Sequence, residues 1–354
     1  MMAVDPTLIL DPVDWNHAAG RGLGTTPILD WIECTCLLLS KCGHREPMNL
    51  RNMITTWEEA GLSLNPPAIW GPLSHTTLSG DGDETDDDDH PDNRCELQSD
   101  SAESLLEQLS ERSSTLGNAY PFHISEDNGT ISFLDDKSSQ TIYAHLLLLC
   151  AVERYGRDSA FSHITKQDDY TLRIFFESIV LFSLKKYGYD CEQIGTGAGS
   201  GRFADRLQHT LQKLGLGLPN PITQVRQRIQ DGGADILAGH FWKDGRSREV
   251  VHIIQCTVSP PSEWPTKLNE ASAPHWLGLL NQECPGVPCL ATPFEATGDA
   301  RHQLQSMATH SYMDRIRLTR AAQDLDLTKI PKYSDYFRII DTALSTISAR
   351  TNIT

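Results

Sequence analysis

The chain has 354 residues, 39% hydrophobic and 7% aromatic, enough for two domains or for one large domain with an appendage. Its longest apolar runs, AHLLLLCAV and IVLF, are of core-helix length, so no membrane span is expected; with no basic stretch at the N-terminus, neither is a secretory leader, and a cytoplasmic location is the expectation. A formal net charge of −17 would exclude a nucleic-acid partner only if it were spread evenly, yet residues 81–127 hold fifteen Asp and Glu against two Arg, a local net of −13 that leaves −4 for the rest.

Basic residues gather elsewhere, as Arg202, Arg206, Lys213, Arg226 and Arg228, and again as Arg301, Arg315, Arg317, Arg320, Lys329 and Lys332. Screening confines each field to roughly 10 Å, so such patches, not the total charge, decide whether a phosphate backbone is attracted.

From residue 25 to 64, apolar residues recur at helical spacing and each run stops at a glycine, Gly43 or Gly61, where a C-cap wants one. An N-terminal α-helical module over residues 1–77 follows. Its cluster CTCLLLSKCGH offers Cys34, Cys36, Cys42 and His44, but residues two apart on a helix face different ways, so buried thiols are expected rather than a zinc site. Residues 78–117 carry a block of like charge, DGDETDDDD, and are read as having no apolar periodicity. They are expected to form an acidic, disordered linker that lacks the glutamate of a calcium loop.

In the remaining domain, 118–354, Phe122 and Ile124 alternate before Asn128-Gly129 and Ile131 and Phe133 after it, a hairpin signal. Two apolar helices follow, TIYAHLLLLCAVERYG and YTLRIFFESIVLFSLKKYG. Next come the loop GTGAGSG and a basic amphipathic helix, RFADRLQHTLQKLG. The loop lacks the Gly-Lys-Ser/Thr of a Walker motif and a clear preceding strand, so a DNA-backbone contact through Arg202, Arg206 and Lys213 is preferred to nucleotide binding. A hairpin near 234–242 and 249–258, a helix around PTKLNE, a strand at VPCLATPF and C-terminal helices complete an α/β order with a mixed sheet.

Three residues could serve one chemistry. Asp235 opens the first strand of the second hairpin after Gly232-Gly233, Gln255 lies on its second strand, and Glu177 is the sole carboxylate in IFFESIVLF. Hard oxygen donors on adjacent strands and a preceding helix suit Mg²⁺-assisted phosphodiester hydrolysis.

Helical Glu177, then GGADILA, then IIQCTV, resembles the PD-(D/E)XK restriction-endonuclease-like superfamily. The likeness is greatest to its Mrr-type branch, in which Gln takes the second acidic position. It covers about residues 140–300. It implies a core of a helix, a three-stranded meander, a second helix and another strand, cleaving DNA with Mg²⁺ or Mn²⁺ in bacterial defence, in the cytoplasm and in company with a partner protein or a second copy. Asp235, Gln255 and Glu177 would be the metal ligands. The family's lysine, two residues after the Gln, is replaced here by Thr257, which carries no charge. Lys267 on the next helix is the expected substitute, and Arg315 near the end of the core a further DNA contact. The alternative is a catalytically inactive nuclease-fold subunit that binds DNA or a partner.

Overall fold

The computed structural model describes residues 26–60, 91–134, 141–155, 161, 163–195, 202–216, 233–244, 249–259, 263–271, 276, 279–280, 286–296 and 311–351. The GTGAGSG loop after Gly195, the acidic run 81–90, Gly61, Arg226, Arg228 and Arg301 lie outside them.

The core is a five-stranded mixed sheet. A capped helix, α5 (Lys166–Tyr187), ends at Gly188, whose φ of +100° is the left-handed C-cap conformation that glycine adopts without strain. The chain then forms β4 (Asp190–Gln193), α6 (Phe203–Leu214), β5 (Ile236–Gly239) and β6 (His252–Cys256). The short helix α7 (Trp264–Glu270) leads to β7 (Val287–Ala291) and β8 (Ser311–Met313). Strand order is β4-β5-β6-β7-β8. The first three are antiparallel neighbours, while β7 joins β6 and β8 joins β7 in parallel.

The second hairpin is present, with strands shorter than the expected 234–242 and 249–258. Strands β4 and β8 were not placed by pattern, the first meander strand being implied by the resemblance alone: each is four residues or fewer, too short for a period-2 signal to stand out. The presence of β4 also removes one argument against the glycine-rich loop, since a strand does precede it.

Both faces of the sheet are covered. Ile236, Ala238 and Ile254 pack with α5 and with α4 (Ile142–Tyr155), whereas Leu237 and Ile253 pack with Leu207, Leu211 and Phe203 of α6. Leu290 packs on the α7 residues Trp264 and Leu268. Alternate residues of one strand thus feed different layers, as strands buried on both sides must.

The N-terminal part is no separate module. Helices α1 (Thr26–Lys41) and α2 (Leu50–Glu59) share one apolar core with α4, α5 and the C-terminal helix α9 (Tyr333–Thr351). The first hairpin, β2 (Phe122–Ser125) and β3 (Thr130–Phe133), turns at Gly129 as expected, and Met48–Asn49, as β1, pairs with β3.

The linker expected over 78–117 is likewise corrected in its second half. Residues Pro91–Leu116 form helix α3, and Ala102, Leu105, Leu109, Arg112 and Leu116 are buried along one face at spacings of three and four. The flanking charges masked that stripe.

Candidate active site

Asp235 stands one residue before β5. Continuing the register one step beyond the pair Ile236↔Ile254 places it opposite Gln255. Its backbone N–H donates to the Ile254 carbonyl at 2.8 Å, and its own carbonyl accepts from the N–H groups of Ile194 and Gly195 at 2.8 and 3.1 Å. Its Oδ2 accepts the Cys256 backbone N–H at 2.7 Å. Three strands therefore fix this carboxylate, which is only 6% exposed.

Glu177 lies midway along α5 and is buried. Its Oε2 accepts from Gln193 Nε2 of β4 at 2.6 Å. Burial first, then the Asp235 and Glu177 carboxylates, push the Cys256 thiol well above its ordinary range. Both acids therefore act on one atom, and that thiol stays protonated.

These groups share a cleft of about 490 Å³ lined by Arg173, Glu177, Asp235, Gln255, Thr257 and Lys267, together with Phe176, Cys256, Val258, Ser259 and Glu263. The four residues expected to be catalytic come together there. Gln255 is 8% exposed, and its Oε1 is buried with no hydrogen-bond partner. A buried acceptor left unmade costs on the order of 1–3 kcal/mol, a cost that an occupant of the cleft would offset.

At the position of the missing lysine, Thr257 has a local task. Its Oγ1 accepts the Ser259 N–H at 3.1 Å and turns the chain out of β6. Lys267 reaches the cleft, with its Nζ 3.2 Å from both carboxylate oxygens of Glu270.

The residues expected to contact DNA are less uniform. Arg202 is exposed at the N-cap of α6. Arg206 donates Nε to the Ile194 carbonyl at 3.1 Å and so ties α6 to the strand beside Asp235. Lys213 pairs with Glu192 at 3.2 Å. Arg315 is corrected outright: it is fully buried and paired with Asp30, with its guanidinium carbon 4.9 Å from the Tyr143 ring centroid. Asp30, from a distant part of the chain, and Glu295, beyond β7, supply the carboxylates of that niche, which no local pattern reveals.

Among the described residues, no three His, Cys, Asp and Glu are grouped to hold a metal. Cys34 and Cys36 are buried, and burial pushes the Cys36 thiol up to about 12. Asp235, Glu177 and Gln255 offer two carboxylates and an amide oxygen in the cleft, a hard-oxygen set of the kind Mg²⁺ and Mn²⁺ take.

Four cleft or support residues escaped the sequence reasoning: Arg173, Gln193, Gly195 and Glu263. Arg173 was within reach, since it precedes Glu177 by four and so shares its helix face. No family model, curated protein or solved structure matches the chain.

Proposed function

We propose that the protein is a metal-dependent deoxyribonuclease with a restriction-endonuclease-like core, acting in bacterial defence against foreign DNA. The observation that carries this is that Gln255, whose Oε1 is buried and unpartnered, lines one cleft with Asp235, Glu177 and Lys267. Helix α5, the antiparallel strands β4-β5-β6, helix α7 and parallel β7 support this reading, while α6, between β4 and β5, is an addition to the meander the resemblance implies.

Asp235, Gln255 and Glu177 are the residues that would hold Mg²⁺ or Mn²⁺. When bound, the ion supplies Lewis-acid polarisation of the phosphate and eases attack by water. Asp235 is prevented from turning by the Cys256 N–H, and Glu177 by Gln193. Lys267 neutralises charge growing on the phosphate, in place of the absent lysine at Thr257. Its pair with Glu270 is part-exposed, at 30% and 42%, and such pairs are worth at most about 1 kcal/mol. Exchange for a phosphate is therefore cheap.

The test is cleavage of supercoiled and linear DNA with Mg²⁺ or Mn²⁺ by wild type, Asp235→Ala and Lys267→Ala. Nicking by wild type that both variants lose is expected. Undiminished nicking by Lys267→Ala would remove that residue from the chemistry. A second reading, a non-catalytic subunit that binds DNA or a partner, is favoured by the uncharged Thr257 and the Lys267–Glu270 pair. DNA binding by wild type without cleavage would select it.

A further inference from the structure

The cleft is acidic before any substrate arrives. Asp235, Glu177 and Glu263 line it, and a phosphodiester adds another negative charge. Two cations line it as well. Lys267 comes from α7, and Arg173 comes from α5, one helical turn before Glu177.

Arg173 is half exposed. Its Nε lies 3.2 Å from Asp169 Oδ2, with the two side chains 51% and 44% exposed. A water-screened i,i+4 pair of this kind contributes about 0.3–0.5 kcal/mol. The guanidinium fork matches two oxygens of one phosphate, which an ammonium does not. The Asp235 and Glu177 carboxylates supply acceptors only and Gln255 offers one uncharged amide donor group, so the cationic donors for a phosphate have to come from Arg173 and Lys267.

We propose that Arg173 is the phosphate anchor of this cleft, gripping the non-bridging oxygens of the DNA backbone from the α5 side while Lys267 approaches from α7. The proposal rests on the deoxyribonuclease reading and adds to it a residue that the sequence motif does not contain. Arg173 exchanges Asp169 for the phosphate on binding. Because the contact is to backbone, it acts on all DNA sequences alike.

The test measures binding of a short DNA duplex with Ca²⁺ replacing Mg²⁺, across a salt series, beside Mn²⁺ titration calorimetry and the plasmid cleavage assay. Arg173→Ala is expected to weaken duplex binding about tenfold and to reduce the salt slope by about one phosphate contact. Its Mn²⁺ affinity and melting temperature should match wild type, because Asp235, Gln255 and Glu177 are untouched. Arg173→Lys should restore the salt slope but only part of the cleavage rate.

If wild type binds and cuts DNA and Arg173→Ala does both equally well, the anchor is overturned and the nuclease reading stands. If Mn²⁺ affinity falls with DNA affinity, Arg173 merely shapes the helix around Glu177, and the anchor is again overturned. If wild type neither binds nor cuts DNA, the nuclease reading falls and takes the anchor with it.

Discussion

A methyl group on Gly195 would lie 2.6 Å from Asp235 Oδ1 and 3.0 Å from its Cα. Only the absence of a Cβ lets the chain after β4 pass this close to the proposed ligand while donating its N–H to the Asp235 carbonyl. Gly195→Ala is therefore expected to push the carboxylate aside. Cleavage should fall by about 10²-fold, the scale of a 1 Å misplacement, with weaker Mn²⁺ binding by calorimetry and little change in melting temperature. Normal Mn²⁺ binding in this variant would show that Asp235 is not a ligand in its present pose. In the sequence, Gly195 is simply the first glycine of GTGAGSG, and the pattern points to a phosphate loop. Its closeness to Asp235 arises only because β4 pairs with β5.

At the scale of the element, α5 positions both Glu177 and Arg173, and its start is fixed by a capping box. The Thr165 hydroxyl oxygen accepts the Asp168 N–H at 3.2 Å, while Asp168 Oδ2 accepts the Thr165 N–H at 3.1 Å. Arg338 of α9 lies 3.4 Å from Asp168 Oδ1. The Thr165 hydroxyl, the Thr165 N–H and Arg338 hold the Asp168 carboxyl below its ordinary value of 3.8.

Thr165→Ala should cost about 1 kcal/mol at neutral pH, as the loss of an N-cap does. The sign with pH follows from a carboxyl lowered in the folded state. Its contribution is complete above 3.8 and is lost as pH falls through the lower folded value. Urea denaturation at pH 7 and pH 3 should therefore show wild type and variant converging in acid. A constant gap would mean that the carboxylate plays no part in the cap. Helix α3 teaches the converse lesson about legibility. Leu105, Leu109 and Leu116 carry a helical stripe, but the acidic residues around them set the composition, and composition favoured disorder.

Across the whole molecule, a buried ionic network joins the two ends of the chain to the sheet. Arg112 of α3 lies 2.8 Å from Glu33 and 3.3 Å from Asp30 of α1, and pairs with Glu295 beyond β7. Arg315, at the start of α8 (Arg315–Ala321), pairs with the same Asp30. Tyr120 and Tyr143 each donate a hydroxyl to Glu33 at 2.6 Å.

Removing one partner of such a network leaves a buried charge uncompensated. Arg315→Ala is expected to destabilise the fold by about 3–5 kcal/mol. Thermal unfolding should remain a single transition, because α1, α3 and the sheet share the core. Two separate transitions in calorimetry would argue instead for an independent N-terminal unit. Duplex affinity of the folded variant should equal that of wild type, since Arg315 is fully buried.

Local periodicity and turn signals in the sequence determined the two long apolar helices, both hairpins and the α/β order, because spacings of 2 and 3.6 residues are set by the backbone of each element alone. The trio Asp235, Gln255 and Glu177 was picked out by residue type and order along the chain, and its role by the resemblance. Lys267 was also legible, from side-chain length and its place after the second strand. Tertiary structure alone decided the rest. It buried Arg315 where Asp30, nearly the whole chain away, supplies the counter-charge. It turned the acidic segment's second half into a core helix, and brought Gln193 against Glu177 and Gly195 against Asp235 through the pairing of β4 with β5, which no local pattern encodes. A charge is read as exposed until a distant partner compensates it, and that partner is found only once the chain has folded.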